Sequence, residues 1–104
     1  MQATEHEHNL DGVLVAPEKL IAATRAEFRA NALAHLAALG ANATAMVIDF
    51  GNTAEIDTSG LGVLVLVQKR AKERGLSTRL RRAPERVRNL LKLTMLDFLF
   101  ELTD

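Results

Sequence analysis

The sequence predicts an α/β domain, with a central, mixed but mostly parallel sheet of four to five short strands packed against three to four helices. Three observations carry this reading. Segments of strand character alternate with segments of helical period, an order that builds a mostly parallel layer. Residues 45–50 form a short apolar run after the turn-rich residues 41–44, the pattern of a buried strand. Proline and glycine mark the helix ends: Pro17 and Pro84 stand where helices open, Gly40 and Gly75 where they stop.

Asp11-Gly12 lies between two short segments, residues 6–10 and 13–16, and predicts a two-residue hairpin turn, because both central positions favour positive φ. A helix is expected from Pro17 to about Leu39, with Phe28, Ala32, His35, Leu36 and Leu39 on one stripe. His35 on that stripe reads as a packed or edge residue. Residues 55–57 form a second short extended piece after the break at Gly51-Asn52-Thr53. Residues 61–67 are apolar on every side, and β-branching alone would suggest a strand. The continuation, residues 68–75, is helical and ends in Gly75, and Thr58 and Ser59 are common capping residues. The sum predicts a helix from about Ser59 to Arg74, its first two turns buried nearly all round. Leu76, Thr78 and Leu80 alternate with Ser77, Arg79 and Arg81 in a half-buried strand. After Pro84, the residues Val87, Leu90, Leu91 and Thr94 form a helical stripe, and residues 97–102 are a short apolar tail that packs or pairs at the end.

At 104 residues the chain is expected to be one domain, 1–104, with residues 1–5 flexible. Apolar residues make 48% and charged residues 25%, which excludes a disordered chain. The absence of cysteine excludes a disulfide scaffold, a thiolate metal site and a cysteine nucleophile. The first ten residues are polar and acidic, unlike a secretory signal. No apolar run approaches the roughly 18 residues of a bilayer span. A soluble, cytoplasmic protein without direct membrane insertion is therefore expected.

Net charge is zero but unevenly spread. Residues 1–57 hold 8 acids and 3 bases, residues 69–92 hold 10 bases and 2 acids, and residues 93–104 add 3 acids. The basic segment reads either as a patch for an acidic partner or as solvated helix faces and an edge strand. All four aromatics are Phe, and no basic–aromatic stacking surface is visible, so nucleic acid is not expected. His6 and His8 are a weak ligand pair on an end segment, and no Gly-rich phosphate cradle is present, so neither metal nor cofactor is expected.

The segment with chemistry to offer is Asp57-Thr58-Ser59-Gly60-Leu61-Gly62. It places hydroxyls at the mouth of a buried helix, whose free N–H groups carry partial positive charge. A phosphoryl group there would add about −1.5 to −2 charge at pH 7, and Asp57 would repel it. Thr58 and Ser59 are equally plain as N-caps, and Asp57 as a turn residue. A hydrolase built on Ser59, Asp57 and a histidine is not expected: Ser59 lacks the Gly-x-Ser-x-Gly elbow and no histidine lies near it in sequence. No catalytic residue is assigned.

Ile56-Asp57-Thr58-Ser59-Gly60-Leu61-Gly62-Val63-Leu64 resembles the signature of STAS domains, in particular bacterial anti-sigma factor antagonists. Residues 47–50, 69–75, 84–96 and 98–100 are similar to the family's preceding strand, signature-helix end, last helix and closing segment. The resemblance implies a STAS-like fold and a regulatory role without catalysis. It implies that Thr58 is phosphorylated by a partner serine/threonine kinase, itself the anti-sigma factor, with Ser59 as second choice. It further implies that the unphosphorylated chain binds that kinase through residues 57–62: Asp57, Thr58, Ser59, Gly60, Leu61 and Gly62. Position 58 is Thr where the best-known antagonists have Ser, and residues 16–21 lack the family's Gly-x-Leu-Asp stretch. Both features also suit a second STAS role, an accessory subunit that binds and stabilises the ATPase of a lipid-asymmetry ABC transporter.

Overall fold

β3 (Ala45–Asp49) is the hub of the main sheet, and its neighbours follow from its register. The computed structural model describes residues 12–104. β1 (Val13–Val15) and β5 (Ser77–Arg81) flank β3, and β6 (Glu101–Thr103) lies outside β5, giving the order β1-β3-β5-β6. Every pairing in this sheet is parallel among the described residues, which sets Ile48 between Leu14 and Leu80. A second, two-stranded parallel sheet joins β2 (Lys19–Leu20) to β4 (Glu55–Ile56). The helices among the described residues are α1 (Arg25–Ala38), α2 (Thr58–Glu73) and α3 (Glu85–Leu93), with a 3-10 turn at Asp97–Leu99.

The expected helix from Pro17 is shorter than its sequence suggests and starts at Arg25. Long-range partners claim the backbone that a helix would need. The Glu18 carbonyl accepts the N–H groups of Ala54 and Glu55, and the Leu20 carbonyl accepts that of Asp57. The Thr24 hydroxyl donates to the Lys19 carbonyl at 2.6 Å and accepts the Ile21 N–H, so a turn precedes α1. Leu20 is fully buried in this arrangement, and its burial outweighs local helix propensity. The hairpin expected at Asp11-Gly12 has its first arm at residues 6–10, outside the described residues.

Within α1 the stripe Phe28, Ala32, His35 and Leu36 is buried as expected. In α2 the buried stripe is Gly60, Leu61, Val63, Leu64, Val67 and Ala71, while Thr58 and Gly62 face solvent. The first two turns are thus buried on one broad side and not all round. α2 packs on α1 and on β5, and Leu64 is among its fully buried side chains. α2 and α3 end in the same backbone motif. Leu76 N–H reaches the Ala71 carbonyl and Leu96 N–H the Leu91 carbonyl, with Gly75 and Met95 at positive φ.

β5 lies inside the sheet, not at its edge, so its arginines are not simply solvated. Register sets Arg81 beside Asp49. The Asp49 side chain is 3% exposed and pairs with Arg81 at 3.0 Å and Arg82 at 3.1 Å, and it accepts the Gly51 N–H at 2.7 Å. Burial pushes the Asp49 carboxyl up, but Gly51, Arg82 and Arg81 together outweigh it and hold it below its ordinary value of 3.8. His35 is shifted for the opposite reason. Burial lowers its imidazole below the ordinary 6.5, against a hydrogen bond with the Gly12 backbone that raises it, and its Nε2 is buried without a partner among the described residues.

These shifts give a two-step acid response. The folded state resists protonation of His35, so stability is full above about pH 6.5 and falls as the unfolded chain takes up that proton. It falls again below about pH 3.8, where the unfolded state protonates the Asp49 carboxyl before the folded state does. Urea midpoints measured from pH 8 to pH 3 are expected to show both steps, and His35→Gln to remove only the upper one.

Candidate functional site

Asp57 ends the β2–β4 sheet and caps α2. Its Oδ1 accepts the Gly60 N–H at 3.0 Å and its Oδ2 accepts the Ala22 N–H at 3.1 Å. Its carbonyl accepts the Leu61 N–H at 3.0 Å. One residue thus ties the first turn of α2 to the turn before α1. The Gly60 N–H is the largest influence on the Asp57 carboxyl. With the Ala22 and Ser59 N–H groups and the Arg25 charge it outweighs desolvation, and the carboxyl sits below its ordinary 3.8. The cap is therefore Asp57, where Thr58 or Ser59 was expected. An ionised carboxylate accepts N–H groups more strongly than a hydroxyl does, and this one reaches two.

Gly60 is required by packing. A Cβ there would overlap the Leu20 carbonyl oxygen and stand 2.8 Å from Leu20 Cγ. The backbone of α2 can lie against β2 only because this side chain is missing. Gly62, one half-turn on, is different: a Cβ there would meet nothing within 4 Å. It is exposed, and it leaves bare backbone on the surface of α2.

Thr58 is exposed and Ser59 half-buried. With Gly62, Val63 and Leu66 they form one wall of an open groove of about 590 Å³, and Arg25, Ala26 and Arg29 of α1 form the other. The six expected site residues therefore divide. Thr58, Ser59 and Gly62 line the groove, Asp57 fixes its end, and Gly60 and Leu61 face the core. Sequence reasoning missed Arg25 and Arg29. Their spacing of four places them on one flank of α1, away from the Phe28–Ala32 stripe. That much was readable, but which helix lies opposite is a tertiary fact.

No helix among the described residues is long and apolar enough to cross a membrane, and no cluster of three or more potential metal ligands is present among them.

Comparison with known structures and families agrees with this fold. The chain superposes on a proposed anti-sigma factor antagonist from Thermotoga maritima with a TM-score of 0.75 at 25% identity, covering 90% of this chain and 80% of that one. It superposes on a sulfate transporter family protein from Wolinella succinogenes with a TM-score of 0.70, covering 89% and 77%; at 15% identity this shows the fold alone. The family model described as the MlaB STAS domain matches residues 4–101. With that span matched, and with the parallel sheet and the Asp57-capped helix in place, the chain belongs to the MlaB STAS-domain family.

Proposed function

We propose that the chain, as one domain of residues 1–104, is a cytoplasmic protein-binding switch of the anti-sigma factor antagonist kind. It binds an anti-sigma factor serine/threonine kinase while Thr58 is unmodified and releases it once Thr58 is phosphorylated. Ser59 is the second choice of acceptor. The observation that carries this reading is the division of labour at the start of α2. Asp57 caps the helix, which leaves the exposed Thr58 hydroxyl free of that task, at the mouth of a groove. In the transfer the Thr58 Oγ1–P bond forms as the bond between the γ-phosphorus and its bridging oxygen breaks in a nucleoside triphosphate. The diphosphate leaves and the hydroxyl proton passes to a base of the kinase. The chain is the substrate and supplies no catalytic group.

Thr58→Asp is expected to keep the fold, because an acid at the first position of a helix is favourable there. Its melting temperature is expected within about 3 °C of wild type, since surface substitutions shift stability little. Its affinity for the kinase is expected to fall at least tenfold, about 1.4 kcal/mol. Equal binding by the two chains in a calorimetric titration would count against the switch.

A second reading, an accessory subunit that binds the ATPase of a lipid-asymmetry ABC transporter, is favoured by Thr at position 58 and by a family match described as MlaB. Affinity capture from the native cell with wild-type and Thr58→Ala baits separates the two. Recovery of a small kinase-like ATPase with a Thr58 phosphopeptide supports the switch. Recovery of a transporter ATPase and its permease supports the accessory subunit.

A further inference from the structure

Resting on the reading of Thr58 as the modified residue, we propose that Arg25 and Arg29 form a receptor in cis for its phosphate, so that modification draws the added charge onto α1 and occupies the groove from within. Both arginines line the same groove as Thr58 and Ser59, on the facing helix. Both are exposed, and neither takes part in an ion pair among the described residues, where the pairs are Arg79–Glu101, Arg81–Asp49 and Arg82–Asp49. No ion pair among the described residues holds either side chain elsewhere. The receptor consists of side chains from α1, so it does not depend on the end of α2 alone.

The acid on which Arg25 acts is Asp57. Its two oxygens are engaged by the Gly60 and Ala22 N–H groups, which fixes the carboxylate against the backbone. Arg25 already acts on that carboxylate, which puts its charge within electrostatic reach of the neighbouring residue 58. Arg25, Arg29 and Asp57 together sum to +1. A phosphate of about −2 turns the sum to about −1. The unmodified groove thus offers two exposed guanidiniums to an acidic segment of a partner, in the planar geometry that carboxylates and phosphates fit. Modification removes the same two groups from use and reverses the sign of the local charge. The contact is lost by competition for the arginines, and α2 need not move.

The test uses the full chain carrying phosphothreonine at position 58, introduced by genetic encoding so that no kinase is involved. The phosphate is titrated by phosphorus NMR in the wild-type background and in Arg25→Gln/Arg29→Gln. A free phosphate monoester takes its second proton near pH 6. The clamp requires the wild-type phosphate to titrate about half a pH unit or more below the double variant, because the guanidiniums favour the dianion. Both substitutions are on exposed positions, and matching melting curves of the unmodified chains confirm that the fold is kept. Superimposable titrations in the two backgrounds would overturn the clamp and leave the reading of Thr58 as the switch standing. That reading fails separately, if Thr58→Asp binds the kinase as well as wild type does.

Discussion

Leu64→Asp is expected to abolish the folded state near neutral pH. Leu64 has no exposed surface, and it sits mid-stripe in α2 between Leu61 and Val67. An aspartate there loses the apolar burial of the leucine, about 2 kcal/mol, and places a carboxylate with no partner in the core. The combined cost is about 5 kcal/mol or more, comparable to the whole stability of a domain this size. Circular dichroism should show no cooperative melt at pH 7. A melting temperature close to wild type would mean that α2 presents a different face to the sheet.

The second large effect is a contrast between two glycines two residues apart. Gly60→Ala forces a methyl group into the Leu20 carbonyl, where a backbone and not a yielding side chain must give way. The β2–β4 pair and the Asp57 cap both depend on that approach. A loss of about 3 kcal/mol is expected, or about 15 °C in melting temperature. Gly62→Ala has the opposite sign. Its methyl group meets open space, and alanine is better than glycine inside a helix by about 0.8 kcal/mol, so the chain should melt a few degrees higher. The same methyl group narrows the groove, so weaker partner binding from a more stable protein is the expected pairing. Equal melting of Gly60→Ala and Gly62→Ala would show that β2 does not lie against α2.

What could be read from the residues alone was whatever repeats locally. The α1 stripe, the alternation in β5, the apolar run of β3 and the stop at Gly75 are all periodic or single-residue signals, and the structure has each of them. β2 could not be read, because two residues have no period. It exists through bonds from Glu18 and Leu20 to residues more than thirty positions away. The interior position of β5 was hidden for a related reason. Exposed arginines at a strand end look alike whether they meet water or a buried Asp49 from the next strand. At the site, the signature named the first turn of α2, where Thr58, Ser59 and Gly62 line one wall of the groove. It did not mark the opposite wall, since Arg25 and Arg29 belong to no motif and matter only once α1 lies against α2.

Asp57 holds α2 to the turn before α1 and Gly60 lets it lie against β2, so neither can change without cost to the fold. Arg25, Arg29 and Gly62 line the same groove, yet all three are exposed and none is bound into the core. After gene duplication, two copies of this chain can therefore drift apart at these three positions while both still fold. Insulation between parallel pairs of partners, and freedom from crosstalk, then needs only a few surface codons, and the machinery that folds the domain is untouched by the divergence.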